Sequence, residues 1–323
     1  MSVTVIIPVY NDAPHIEKAM RSVMGQSEID WKLIVVNDGS QDDTGLIAHE
    51  IAAEDDRITV IDQENKGLVG AEITGYQNAD SEWIMFLDSD DWYEPDMIRT
   101  LLKAVTKNNA DAARLGYKKV YPDGKEEYPL TIVNEVLDHE MIETMILHPF
   151  FEENADIYRH WSAPRWEKIY RASLLEEPFA KADVRMTAGE DLALNLRFLA
   201  KVEKVVNVAD SYLYAYRVLD SSMGRGYTEK MRRQYQRMQE AIELIAEEQS
   251  RPYAARGKLQ DNSTMSLLYE LKHTETMDKA ERKAVQRQLE KQLNDPKLKY
   301  KLMLYEDFPG KSMLQSIYRK IRK

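Results

Sequence analysis

The chain has 323 residues, 43% of them apolar and 31% charged, with a formal net charge of -11 and no cysteine. That balance describes a water-soluble globular protein, and it excludes disulfide scaffolds, thiolate metal sites and a general nucleic-acid binder, which needs a basic face. No run approaches the roughly 18 apolar residues of a membrane-crossing helix; the chain enters an apolar strand at once (MSVTVIIPVY) without a basic leader, which reads as cytoplasmic.

The predicted elements alternate. Strand VTVIIPV (3–9) leads to helix HIEKAMRSVMGQ (15–26), strand WKLIVVN (31–37) to helix GLIAHEIAAE (45–54), and strand ITVID (58–62) to helix LVGAEITGYQNA (68–79). Strand WIMFL (83–87) and a helix over about 95–108 follow, then strand AARLGYKKV (112–120), helical patterns at 138–147 and 189–201, and a short strand around Tyr212–Tyr216. Continuous apolar strands between amphipathic helices predict a Rossmann-like α/β unit, a mostly parallel sheet covered on both faces. From about residue 226 the pattern turns to long helices, which divides the chain into an α/β domain at 1–225 and a helical C-terminal region at 226–323. Met231, Tyr235, Met238, Ile242 and Ile245 form a stripe that reads as intramolecular packing more than as a coiled-coil interface between copies. A charged, Gln-rich helix is expected at 278–293. The terminal KSMLQSIYRKIRK puts Met313, Leu314, Ile317, Tyr318 and Ile321 on one helical face beside five basic residues, either a solvated helix or a membrane-surface contact.

In open parallel sheets, ligands bind at the carboxyl ends of the strands. Those ends carry Tyr10-Asn11-Asp12, Asn37-Asp38-Gly39-Ser40, Glu64-Asn65-Lys66-Gly67 and Asp88-Ser89-Asp90-Asp91. Asp, Asn and Gly also form turns and caps, and Asp91 is expected to help open the helix near Pro95. Asp88 and Asp90 ask for more, because neighbouring carboxylates repel by about 4 kcal/mol at ~4 Å in an effective dielectric near ~20. A hard divalent cation shared with substrate phosphates would compensate them, so the stretch reads as a metal–diphosphate site.

IIPVYN (6–11), VNDGSQDDT (36–44), NKG (65–67), FLDSDD (86–91), WEKIY (166–170), GEDL (189–192) and YAYRVLDSS (214–222), in that order, resemble family 2 glycosyltransferases of the GT-A fold. The resemblance covers about two thirds of the chain. It implies transfer of a sugar, with inversion, from a nucleotide-diphosphate sugar such as a UDP-sugar to a cell-surface glycan, wall polymer or lipid-linked acceptor. Carried over, Pro8, Tyr10 and Asp38 contact the nucleoside, Asp88 faces the ribose or diphosphate, and Asp90 holds Mn²⁺ or Mg²⁺. Asp191 is the catalytic base, with Glu190 as its neighbour, and Arg217 a donor-phosphate contact. The chemistry agrees: one carboxylate takes the acceptor proton while the leaving diphosphate is neutralised from the other side.

Three departures stand out. Ala71-Glu72-Ile73 replaces the family's Ala-Arg-Asn, so Lys66 or Arg217 is expected to supply the missing cation; Asn37 stands for a commoner Asp, still able to bond a base edge; Glu167 stands where a small or amide residue is common. Trp161 and Trp166 are candidates for stacking on an acceptor sugar or for the core. Two rivals follow. A sugar-nucleotide nucleotidyltransferase would need a Gly-rich phosphate loop after strand one, which this chain lacks, and an inactive glycan-binding or scaffold homologue is suggested by Glu72 alone.

Overall fold

The computed structural model describes residues 2–251 apart from 29, 130–132, 154–159 and 220–228, together with residues 280, 283 and 287. The basic tail at 311–323 and nearly all of the helix expected at 278–293 lie outside the described residues.

The expected alternation is present: β1 (Val3–Val9), α1 (Ile16–Met24), β2 (Trp31–Asn37), α2 (Thr44–Ala52), β3 (Ile58–Asp62), α3 (Gly67–Gln77) and β4 (Trp83–Phe86). After these come β5 (Trp92–Tyr93), α4 (Met97–Asn108), β6 (Ala112–Val120), β7 (Glu126–Glu127), β8 (Glu135–Asp138) and α5 (His139–Ile142). The described chain continues with β9 (Lys168–Arg171), α6 (Glu176–Ala180), α7 (Glu190–Leu199), β10 (Lys204–Arg217) and α8 (Glu229–Glu248). One sheet runs β3-β2-β1-β4-β9-β6-β10-β5, with β7 on β6 and β8 on β10.

The first four strands are parallel, with Val9 opposite Asn37, Asn37 opposite Asp62 and Ile6 opposite Phe86, so their carboxyl ends share one edge. Beyond β4 the sheet is mixed: β9 inserts antiparallel to both β4 and β6. Its four residues, KIYR, carry a charge at each end and no strand-length apolar run, so nothing in the sequence announced it. β1 is buried throughout. Val3, Val5, Ile7 and Val9 pack with α1 and α4, while Ile6 packs on the opposite face with Ile84, Phe86 and residues of α7 and α8. Burial of this kind contributes about 1.5–3 kcal/mol per large apolar side chain, and two covered faces explain why the strand shows no polar alternation.

Three features position the site. β10 breaks register between Asn207 and Tyr212, where Asp210 adopts φ 54°, and the bulge carries Tyr214 and Ala215 alongside β5. Met238, Ile242 and Ile245 of α8 share a core with Leu194, Leu196 and Phe198 of α7, so this part of the stripe packs within the chain. The side chains of Met231 and Tyr235 are outside the described part. Trp161 and Trp166 are both buried; Trp161 Nε1 donates to Asn195 Oδ1 at 2.9 Å and Trp166 stacks on Tyr214 at 4.1 Å, so neither presents a face to an acceptor sugar. No helix among the described residues is long and apolar enough to cross a membrane.

Candidate active site

The loops leaving the parallel strands are tied together by side chain–backbone bonds. Asn11, at φ 51°, accepts from Gln41 N at 2.7 Å, its own N–H donates to Ser40 Oγ at 3.0 Å, and Asp12 N–H donates to Thr44 Oγ1 at 2.8 Å. Asn tolerates this left-handed conformation better than most residues. Asp38 is buried, and its carboxylate accepts from Gln63 Nε2 at 2.6 Å and from the N–H groups of Lys66 and Gly67, each at 2.8 Å. It therefore anchors the turn into α3, with about one of its roughly four acceptor positions unused. Tyr10 is 50% exposed beside this anchor, Lys66 is exposed, and Pro8 is buried inside β1 opposite Val36. Asn37 is tied to its neighbours: its Nδ2 donates to Asp62 Oδ1 at 2.7 Å and its Oδ1 accepts from Ser40 N at 3.2 Å, which leaves one N–H and one lone pair of the amide.

The aspartates after β4 divide into two kinds. Asp91 does not open α4; it is 1% exposed and accepts from Tyr214 Oη and Arg217 N, both at 2.7 Å, which fastens β10 to the loop. Arg217 Nε donates to the Asp90 carbonyl at 2.6 Å. Asp88 and Asp90 are half-buried acids. Burial, then Asp191 and Asp90, push Asp88 up to about 7. Burial and the facing Asp12 raise Asp90.

The second carboxylate centre opens α7. Gly189 takes φ 80° and is followed by Glu190 and Asp191. Arg165 Nε lies 2.5 Å from Asp191 Oδ1, and Arg165 Nη2 lies 2.8 Å from Glu72 Oε2; these are charge contacts without hydrogen-bond alignment at Nε or Oε2. Burial works against the guanidinium's charge, but Glu72, Asp191 and Glu190 outweigh it and hold Arg165 above its ordinary value. Burial, with Arg165 opposing, pushes Glu72 up to about 8. The cation beside Glu72 is thus Arg165. The signal in the sequence was Glu72 itself, an acid on the buried Val69-Ala71-Gly75 side of α3, which requires a partner. Glu167 is likewise buried and paired, with Lys168 Nζ at 3.0 Å.

Two expected outcomes follow from this geometry. Glu72 holds its proton in the folded chain up to about pH 8 but releases it near its ordinary value when unfolded, so its contribution is intact below that value and is lost as pH rises toward 8. Glu72→Gln should therefore gain denaturant stability relative to wild type progressively between about pH 5 and 8, with Asp88 leaving a smaller slope of the same sign. Equal slopes in both proteins would contradict the burial-driven shift. Gly189→Ala places a Cβ against the Met238 side chain at a left-handed φ. A loss of about 2–4 kcal/mol is expected from strain and overpacking, read by denaturant unfolding.

The donor set suits a hard divalent cation. Asp88 and Asp90 offer carboxylate oxygens, and their proton affinity is raised first by burial and then by acidic neighbours, Asp191 and Asp90 for Asp88 and Asp12 for Asp90. Among the described residues no three His, Cys, Asp or Glu side chains gather to hold an ion by themselves. Mg²⁺ and Mn²⁺ are commonly bound by one or two carboxylates plus substrate phosphates, which this rim fits.

Comparison with known proteins agrees with the fold. The family model described as Glycosyl transferase family 2 matches residues 4–176. Glycosyltransferase GlyA of Streptococcus pneumoniae serotype 4 is 34% identical over 245 residues, which cover 76% of this chain and 34% of GlyA. The Bacillus subtilis protein named Uncharacterized glycosyltransferase EpsJ is 32% identical over 240 residues, 72% of this chain and 67% of EpsJ. The chain thus spans about a third of the one relative's length and two thirds of the other's. The structure of S. aureus TarS 1-349 in complex with UDP-GlcNAc superposes with a TM-score of 0.61 at 18% identity, over 91% of this chain and 80% of that one, a likeness of GT-A fold. With the family match reaching from β1 through β9 and on into α6, the chain belongs to glycosyltransferase family 2.

Proposed function

We propose that this chain transfers a sugar from a nucleotide-diphosphate sugar, a UDP-sugar first of all, to an acceptor hydroxyl with inversion at the anomeric carbon. The observation that carries the reading is that Asp88, which adjoins Asp90 at the end of β4, feels the charge of Asp191 from the start of α7. Inverting displacement needs two such centres. Asp191 takes the acceptor proton on one side, while the diphosphate leaves toward Asp88 and Asp90 on the other. Bound Mn²⁺ or Mg²⁺, held by Asp90 together with the donor phosphates, supplies charge neutralisation for the leaving group. Tyr10, Pro8 and Asp38 form the nucleoside end, and Lys66 and Arg217 serve the phosphates. The glycosyltransferase names of GlyA and EpsJ support the reaction class, and the UDP-GlcNAc bound by TarS supports the choice of donor to test first.

The acceptor is proposed to be a cell-surface glycan, wall polymer or lipid-linked precursor, extended at the cytoplasmic membrane face. In this reading residues 1–225 form the catalytic domain, and the region from 226 supplies membrane contact through 311–323 and contacts between copies through its helices. Thermal unfolding against a panel of UDP-, GDP-, dTDP- and CMP-sugars with Mn²⁺ tests the donor class. A UDP-sugar at ~100 times its Kd should stabilise the chain by about 2.7 kcal/mol. No stabilisation by any member would sink the reading.

A further inference from the structure

Glu72, Arg165 and Asp191 come from α3, the loop before β9 and the first turn of α7, and they meet in one line, with Arg165 between the other two. The side chains of Glu72 and Arg165 are each 3% exposed, whereas that of Asp191 is 27% exposed, so the chain runs outward from the core. Burying a guanidinium costs more free energy than filling the same space with apolar groups, so packing alone does not account for Arg165 at this place. Asp191 also has Asp88 and Glu190 as like-charged neighbours, which push its carboxylate away. Arg165 opposes that push, and the guanidinium sits 5.7 Å from the Phe86 ring at the end of β4, a rigid backing.

We infer that Arg165 is the positioning residue for Asp191, and that Glu72 fixes the guanidinium from behind. This rests on Asp191 being the base. Arg165 reaches both Glu72 and Asp191 because its nitrogens fork; the single ammonium of a lysine is a point charge and loses one of them. The close contacts of Arg165 are with Asp191 and Glu72, and only its charge bears on Asp88, so it acts mainly on the acceptor side of the reaction, which separates it from a phosphate-binding arginine.

The test combines UDP calorimetry, UDP release from UDP-GlcNAc, UDP-glucose and UDP-galactose, and the NMR signal of the Arg165 Nε–H, assigned by its absence in Arg165→Lys. Arg165→Lys should lower kcat by on the order of 10–100-fold, the cost of an angstrom-scale misplacement, with UDP affinity within about twofold of wild type. Glu72→Gln, which keeps an acceptor for the guanidinium, should stay within about threefold of wild-type kcat, whereas Glu72→Ala should lose about tenfold. In an Asp191→Asn background, Arg165→Lys should add less than about twofold, because it acts through the missing carboxylate. The Nε–H signal should shift in Asp191→Asn, a readout that needs neither turnover nor the Glu72→Ala variant to fold. Weakened UDP binding at unchanged kcat, equal losses in both backgrounds, or an unmoved Nε–H signal would each overturn the inference. Full activity of Asp191→Asn would instead bring down the assignment of the base.

Discussion

Asp191→Asn is expected to leave UDP affinity nearly unchanged and to lower sugar transfer by a factor on the order of 10²–10⁴, the usual contribution of a positioned general base. The amide keeps the size of the carboxylate and loses its basicity. Asp191 is suited to the role because it is partly exposed at the mouth of the site while its Oδ1 contacts Arg165, and because it stands at a helix N-terminus, where a carboxylate is favoured. Single-turnover transfer and UDP calorimetry on the same protein separate chemistry from binding. If transfer survives while donor affinity collapses, Asp191 is a donor ligand, and the base has to be sought among its neighbours, Glu190 first.

Asp90→Ala is expected to abolish metal-dependent UDP binding. The diphosphate would otherwise approach Asp88 and Asp12 with no intervening cation, and one uncompensated charge pair at ~4 Å costs about 4 kcal/mol in an effective dielectric near ~20, on the order of 10³-fold in affinity. Wild type should bind UDP with Mn²⁺ or Mg²⁺ and lose most of that affinity under EDTA. Equal affinity with and without the ion would contradict the metal reading.

The parallel half of the sheet was legible because its strands are buried on both faces and therefore read as unbroken apolar runs, each followed by an amphipathic helix. The aspartate rim was legible for a related reason: Asp88 and Asp90 at the end of such a run have no role in the strand itself. What escaped were features defined by distant partners. Asp91 has the local look of a helix opener, yet its carboxylate is held by Tyr214 and Arg217, more than a hundred residues later. Asn37 has the local look of a free polar group, yet Asp62 and Ser40 each hold one side of its amide. Arg165 stood between two tryptophans with no pattern of its own; its meaning comes from Glu72 and Asp191, which only the fold brings to it. β9 was missed because four residues are too few to carry a period.

The most direct measurement is proton NMR of the sugar first released from UDP-α-GlcNAc, UDP-α-glucose or UDP-α-galactose by the full chain with Mn²⁺, water standing in as acceptor. Inversion with Asp191 as base predicts that the β-anomer appears first and that Asp191→Asn slows its appearance by the factor given above. Release of the α-anomer first, or no release from any of the three donors, would contradict the account.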